Sequence, residues 1–251
     1  MDILGFITNG TKTLVASFGL VAIIYYVASM LGKLTGGRIK NSAIAMILAL
    51  ILAAVLPGAG AKGISNIPAF AGFATMGGSM FRDYCILATA FGARIEVIKQ
   101  GGLVMIISLL IGVVGGYAIG AVCGYIMGIR TSADLACFAA GCVTFVVGPV
   151  TGSATGASDI VNTLSVSAGV VKSVLTMIIT PFLAGPLGIN NPKSAMCFGG
   201  LIGTTSGTSA GIAAVDQRLV PYTAMAATFY TGTGCLLCPT ICYFATKAIL
   251  G

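Results

Sequence analysis

Two short segments rich in Gly, Ser and Thr contain the residues of this sequence that are best suited to chemistry. They span residues 148–159 and 203–212, and both fit the pattern Gly-x-x-[Ser/Thr]-Gly-[Ser/Thr]-x-x-Gly. A Ser or Thr hydroxyl can donate a hydrogen bond to a carboxylate or offer its oxygen to a cation. Glycine allows backbone N–H and C=O groups to approach a ligand closely. The repeated pattern therefore predicts a site for a small anion and a hard cation.

The two segments supply most of the candidate ligands. For the anion we assign hydroxyls and glycines of both copies and one arginine: Thr151, Gly152, Ser153, Thr155, Ser206, Gly207, Thr208, Ser209 and Arg82. For the cation we assign an acid, an amide and residues with backbone or hydroxyl oxygens: Asp159, Asn162, Gly148, Gly203 and Thr205. Unwound carbonyls and hydroxyls suit Na⁺. Coupling to H⁺ through Asp159 is the alternative.

The same segments have a second interpretation, as faces for helix packing. Small residues spaced four apart let helices approach each other closely in a membrane. A packing face needs small residues on one side of a helix only, whereas Gly, Ser and Thr fill most of residues 203–212. We therefore favour the binding-site interpretation.

The composition predicts that these segments lie in a membrane. Of the 251 residues, 57% are hydrophobic and only 8% are charged, whereas soluble proteins carry about 25% charged residues. The sequence contains no His, which excludes a Ser-His-Asp triad and an imidazole general base. Lys and Arg are scattered singly, which argues against a nucleic-acid binder. We expect an integral membrane protein that is not an enzyme.

Eight apolar blocks predict an all-α membrane protein with a single transmembrane domain over residues 1–251. The blocks cover residues 13–31, 42–57, 67–92, 103–127, 135–150, 160–189, 195–214 and 222–250. A helix needs about 20 apolar residues to cross a bilayer. The first block has that length and is interpreted as a retained span rather than a cleaved signal peptide.

The two Gly/Ser/Thr segments break helices at corresponding places along the chain. Paired breaks of this kind indicate the binding site of a transporter. Each segment either interrupts a crossing helix or forms the tip of a re-entrant hairpin, with a full span near residues 169–189 between them. Because residues 157–189 are too many for one span, we favour hairpins that enter from opposite faces, which makes the halves inverted repeats.

Charged residues and glycines inside the blocks lead to three further expectations. Arg82 either binds a substrate carboxylate, makes a structural contact with Asp83 near a helix end, or lies in a short cytoplasmic turn that splits the block. Lys172 lies in the sixth block, and we expect it to extend to the membrane interface. The fourth block contains glycines at every fourth position, which favour packing within the chain or an interface between subunits: Gly112, Gly116, Gly120, Gly124 and Gly128.

At these segments the sequence resembles the larger, M, subunit of the bacterial malonate:sodium symporter family. The resemblance rests on residues 148–159 and 203–211, and on length and hydropathy over nearly the whole chain. It implies import of malonate with Na⁺ across the bacterial cytoplasmic membrane, and a smaller membrane partner, the L subunit. The residues alone leave two alternatives open: a carrier of another small carboxylate or one coupled to H⁺, and a membrane enzyme or structural subunit.

Overall fold

The computed structural model describes residues 3–34, 41–56, 67–73 and 95–250. Every regular element in these ranges is helical, which confirms the predicted all-α class. The chain forms two compact units, Met1–Gly92 and Ala93–Gly251, and each is described by itself.

The first unit contains α1, Ile3–Leu34, α2, Asn41–Val55, and a short 3₁₀ turn, Pro68–Phe70. α1 and α2 meet at Gly32, where a side chain would collide with Asn41. Within residues 12–34 of α1, most large apolar side chains are exposed. Its residues 12–34 are long and apolar enough to cross a membrane, so this surface suits contact with lipid.

The second unit contains eight α-helices, one 3₁₀ turn at Gln217–Leu219 and one π-helical turn in its described part. The helices are α3 Ile95–Ile126, α4 Ser132–Val143, α5 Val147–Thr155, α6 Asp159–Leu183, α7 Pro192–Ile202, α8 Thr205–Ala213, α9 Val220–Leu237 and α10 Tyr243–Leu250, and the π turn is Cys238–Cys242. Residues 101–126, 159–183 and 217–250 are each long enough to cross a membrane. The fifth and seventh apolar blocks instead form pairs of short helices, so the eight blocks are not eight spans.

α4 and α5 form a helical hairpin, hairpin 1, which reverses direction at residues 144–146. The helices run antiparallel, because Gly148 near the start of α5 faces Gly141 of α4, whereas Gly152, later along α5, faces Cys137, earlier along α4. At the open end, Asp134 Oδ1 accepts a hydrogen bond from the Ser158 N–H at 2.7 Å. These contacts close the hairpin at both ends.

α4 also fixes the relative directions of α3 and α6. Gly116 and Gly124, in that order along α3, face the last and first turns of α4, so α3 and α4 are antiparallel. α4 runs parallel to α6, because Gly141 contacts Ser165 and the following tip of hairpin 1 contacts Gly169. α3 and α6 therefore run in opposite directions.

α7 and α8 form hairpin 2, which reverses at Gly203. α7 runs parallel to α3, since the glycines at 101 and 112 of α3 face successively later residues of α7. α8 runs parallel to α6, since Gly207 contacts the Ser173 carbonyl and Gly211 contacts Thr180. Hairpin 2 therefore enters the unit from the end opposite to hairpin 1, as the sequence predicts.

Each hairpin and the helix that follows it occur twice; from the second arm onward the two copies lie 58 residues apart, although the first arms, α4 and α7, begin 60 residues apart. α5 and α8 begin at Val147 and Thr205, and each is nine residues long. α6 begins at Asp159, and the 3₁₀ turn that leads into α9 begins at Gln217. Because the two hairpins enter from opposite ends, the halves are inverted repeats.

The helix packing of the two copies follows the 58-residue spacing. This spacing differs from the alignment of the two Gly/Ser/Thr segments that the sequence pattern predicts. A side chain on Gly141 or on Gly199 would collide with a backbone carbonyl of the helix that follows its hairpin. The sequence pattern pairs Gly148 with Gly203. In the structure Gly148 lies inside α5 and corresponds to Ser206, whereas Gly203 lies at a tip. Small residues that serve packing recur every four positions, which permits several alignments of the two copies.

The glycines of α3 pack against helices of the same unit. Gly112 contacts the backbone of α7, Gly120 contacts Ala139 of α4, and Gly124 contacts two side chains of α4. Gly128 follows the end of α3 with a φ of +92°. The packing interpretation of this row is therefore confirmed, and its inner face is not free to bind a second subunit.

Candidate functional site

The tips of the two hairpins meet the same stretch of α6. Hairpin 1 contacts it at Gly169, where a side chain would collide with Phe145. Hairpin 2 contacts it at Ser173, whose hydroxyl lies 2.5 Å from the Thr204 hydroxyl. These two positions are about one helical turn apart and lie near the centre of the 25-residue helix. Both tips therefore reach the middle of a helix long enough to cross a membrane.

α5 and α8 both begin at these tips and run outward. In hairpin 1, Thr144 Oγ1 accepts hydrogen bonds from the N–H groups of Val146 and Val147 at 3.2 and 3.4 Å. In hairpin 2, Thr204 Oγ1 accepts one from the Gly207 N–H at 3.2 Å. Helix N-termini carry partial positive charge. The middle of α6 is thus flanked by two helix ends that favour an anion.

Gly203 shapes the tip of hairpin 2. Its φ is +71°, a left-handed conformation that favours glycine. A side chain at this position would collide with the ring of Tyr230 on α9, which is fully buried. The Tyr230 hydroxyl donates a hydrogen bond to the Gly112 carbonyl at 3.0 Å. One buried ring therefore holds the tip against α9 and α3.

Lys172 of α6 places an ammonium group between the hairpins. Its Nζ donates a hydrogen bond to the carbonyl of Val143, the last residue of α4, at 2.8 Å. The same atom lies 5.4 Å from the centre of the Tyr230 ring. In the 58-residue register Lys172 and Tyr230 occupy equivalent positions, so these counterparts meet. No carboxylate in the described ranges lies within ion-pair distance of the ammonium.

The expectation that Lys172 extends to the membrane interface is wrong. The residue lies 13 positions after the start of α6, which is about 20 Å at 1.5 Å per residue and beyond the reach of a lysine side chain. Instead its ammonium binds the end of α4. The signal that identifies this residue is its place at the centre of an apolar block, where an ionisable group is a functional candidate.

Two buried hydroxyls in the described part of the chain make no hydrogen bond: Thr151 Oγ1 on α5 and Ser209 Oγ on α8. These residues are equivalent in the 58-residue register. Hydroxyls inside helices commonly bond the carbonyl one turn earlier, but these two do not. A buried polar atom without a partner costs about 1–3 kcal/mol, and a bound ligand would remove that cost. The pair therefore offers two equivalent hydroxyl oxygens to a ligand.

The predicted glycine ligands Gly152 and Gly207 lie where the hairpin arms pack closely on neighbouring helices. A Cβ on Gly152 would lie 3.2 Å from Asn162 Oδ1, and a Cβ on Gly207 would lie 2.8 Å from the Ser173 carbonyl oxygen. Both glycines therefore allow their arms to pack closely against α6. For these two positions the packing interpretation explains the residue type.

The remaining predicted anion ligands differ in their surroundings. Thr155 and Thr208 donate hydrogen bonds to carbonyls of their own chain one turn earlier, at 2.9 and 2.8 Å. Ser153 and Ser206 are exposed. Arg82 lies outside the described residues. Of the predicted set, Thr151 and Ser209 thus have the free, buried hydroxyls.

The predicted cation ligands do not converge on one point. The Gly148 carbonyl accepts a hydrogen bond from a thiol of α4, which also lies 3.9 Å from Asn162 Oδ1. Gly203 and Thr205 adjoin the tip of hairpin 2. Asp159 is exposed at the first residue of α6, about 21 Å along the helix from that tip. The structure leaves this carboxylate apart from the tips.

An open cleft of about 420 Å³ lies beside the tips. Its lining is mostly small or apolar and includes Gly112, Gly115 and Gly116 of α3 and Leu201 and Ile202 of α7. Lys172 provides the charge of the lining, and Cys142 at the end of α4 also lines the cleft. The cleft therefore connects the ammonium to open space at the level of the tips.

Comparisons with known proteins identify a family for this chain. No curated protein and no solved structure matches the chain. The family model described as the malonate/sodium symporter MadM subunit matches residues 7–250. This match covers nearly the whole chain, including both hairpins, α6 and α9. The chain belongs to the MadM subunit family of malonate/sodium symporters.

Proposed function

We propose that this chain carries malonate into the cell together with Na⁺, as a subunit of a symporter in the bacterial cytoplasmic membrane. The observation that carries the proposal is the meeting of two inverted hairpins at the middle of α6. Paired half-helices at the middle of a membrane are the usual construction of a site reached alternately from the two faces. Two helix N-termini and an ammonium suit a small dianion.

The Na⁺ requirement is tested by uptake into proteoliposomes that contain the complete symporter. With an inward Na⁺ gradient, we expect labelled malonate to accumulate inside the vesicles. When choline replaces Na⁺ at fixed pH and membrane potential, we expect uptake to fall to the background of protein-free vesicles. Equal uptake in the two conditions would contradict Na⁺ coupling, and accumulation under an imposed pH gradient would then assign the coupling to H⁺.

A second membrane subunit is part of the proposal. The family name describes a subunit, and that is the support for it, because the inner face of the α3 glycine row is occupied by the chain's own helices. We expect the purified single chain to be inactive in liposomes and the co-purified complex to be active, at equal amounts of inserted protein. Full uptake by the single chain would contradict this prediction.

A further inference from the structure

The cleft beside the hairpin tips combines an apolar wall with one ammonium group. Glycines of α3 and apolar residues of α7 form one wall, and Lys172 of α6 lies in the other. Placing an unpaired charge among apolar groups is costly. A partner of opposite charge would therefore stabilise the Lys172 ammonium at the centre of this apolar helix.

The contacts of the Lys172 ammonium leave much of its hydrogen-bonding capacity unused. An ammonium has three N–H donors, and the structure shows one hydrogen bond, to the Val143 carbonyl. The Tyr230 ring lies 5.4 Å away and contributes a weak attraction to the cation. Two donors remain, and a carboxylate would accept from them and neutralise the charge.

We propose that Lys172 binds a carboxylate of the transported dianion in this cleft. The inference rests on the proposed function and names the residue that recognises the substrate's charge. The open cleft gives a small carboxylate a route to the ammonium. The starting ends of α5 and α8 lie at the same level of α6 and add partial positive charge.

A purely structural role makes a different prediction. Lys172 also caps α4, because its partner Val143 is the last residue of that helix, and a cation is favourable at a helix C-terminus. A cap contributes to the stability of the complex whether or not substrate is present. Substrate affinity and stability are therefore measured separately.

The first test uses Lys172→Gln and Lys172→Arg in the complete symporter, with Lys193→Gln as the matched control. Gln keeps a donor for the Val143 carbonyl but removes the charge, Arg keeps the charge, and Lys193 is exposed on α7. We expect Lys172→Gln to weaken malonate binding about ten- to a hundredfold, the effect of losing a hydrogen bond to a charged group. We expect Lys172→Arg to retain most of the affinity and the control to be unchanged.

The measurements are malonate affinity by calorimetry, the Na⁺ concentration for half-maximal uptake, and the melting temperature without malonate. Weaker malonate binding with an unchanged Na⁺ requirement supports the inference. Unchanged malonate affinity together with a lower melting temperature overturns it in favour of the cap, while Na⁺-driven uptake by the wild type leaves the proposed function intact. Failure of the wild type to bind malonate defeats both.

A second test keeps Lys172 and so does not depend on the folding of a variant. Cys142 lines the same cleft, whereas Cys197 on α7 is outside its lining. In a chain that retains only one of these cysteines, we expect malonate to slow modification of Cys142 by a small methanethiosulfonate reagent and to leave Cys197 unaffected. An equal rate at Cys142 with and without saturating malonate overturns the inference.

Discussion

Gly203→Ala is expected to abolish transport and to lower the yield of folded complex. An L-residue in the left-handed conformation costs about 1–2 kcal/mol, and the added methyl group collides with the Tyr230 ring. Overpacking of this kind costs about 1–3 kcal/mol more. The ring cannot withdraw without losing its hydrogen bond to Gly112. Uptake and the melting temperature of the purified complex measure the two effects.

Gly156→Ala is the matched control for this substitution. Gly156 ends α5 with a φ of +76°, so its backbone strain is the same, but no neighbouring atom lies within 4 Å of an added Cβ. We expect this variant to fold and to transport. Tyr230→Leu combined with Gly203→Ala should restore part of the folded yield. Equal defects at Gly203 and Gly156 would show that the collision is unimportant.

Removing both free hydroxyls, by Thr151→Ala with Ser209→Ala, is expected to have the second large effect. Each hydroxyl that contacts a charged ligand is worth about 1.5–3 kcal/mol, so each single variant should lose about ten- to a hundredfold in ligand affinity. The double variant should lose close to the product. If the hydroxyls bind substrate, their removal should raise the KM for malonate. A change confined to the Na⁺ requirement would instead assign the hydroxyls to the cation.

Neighbouring threonines of the same arms provide the controls. Thr155 and Thr208 already bond carbonyls of their own chain, so their replacement by Ala removes no hydroxyl that is free for a ligand. We expect those variants to transport with nearly unchanged kinetics. If the Thr151→Ala and Ser209→Ala variants transport as well as these two controls at matched expression, the hydroxyls serve packing only. The assignment of Thr151 and Ser209 then fails.

The predictable part of this fold is set by composition and helix length. Apolar blocks interrupted by Gly, Ser and Thr, on either side of one full span, indicate hairpins, and the structure contains two that enter from opposite ends. The register of the repeat was not predictable from glycine spacing. Gly148 and Gly207 both pack on α6, and Gly203 turns a tip, so glycines at similar spacing have different physical roles.

The candidate site was less predictable than the fold. A pattern of hydroxyls does not show which of them are already satisfied, and Thr151 differs from Thr155 only in its surroundings. Asp159 is a carboxylate near a predicted break, yet helix geometry places it at the outer end of α6. The assignment of Lys172 depends on its long-range contacts with Val143 and Tyr230 and on its place in the lining of the cleft. No local sequence pattern encodes these features.

We expect the unlike residues at the centre of the repeat to set the resting orientation of the proposed carrier. Inverted repeats allow alternating access when the two halves exchange conformations. A perfectly symmetric pair would make the inward-open and outward-open forms equal in free energy. Here the ammonium of Lys172 holds the end of α4, whereas its counterpart Tyr230 packs its ring on Gly203. We therefore expect the empty carrier to populate the two forms unequally and to face mainly one side of the membrane.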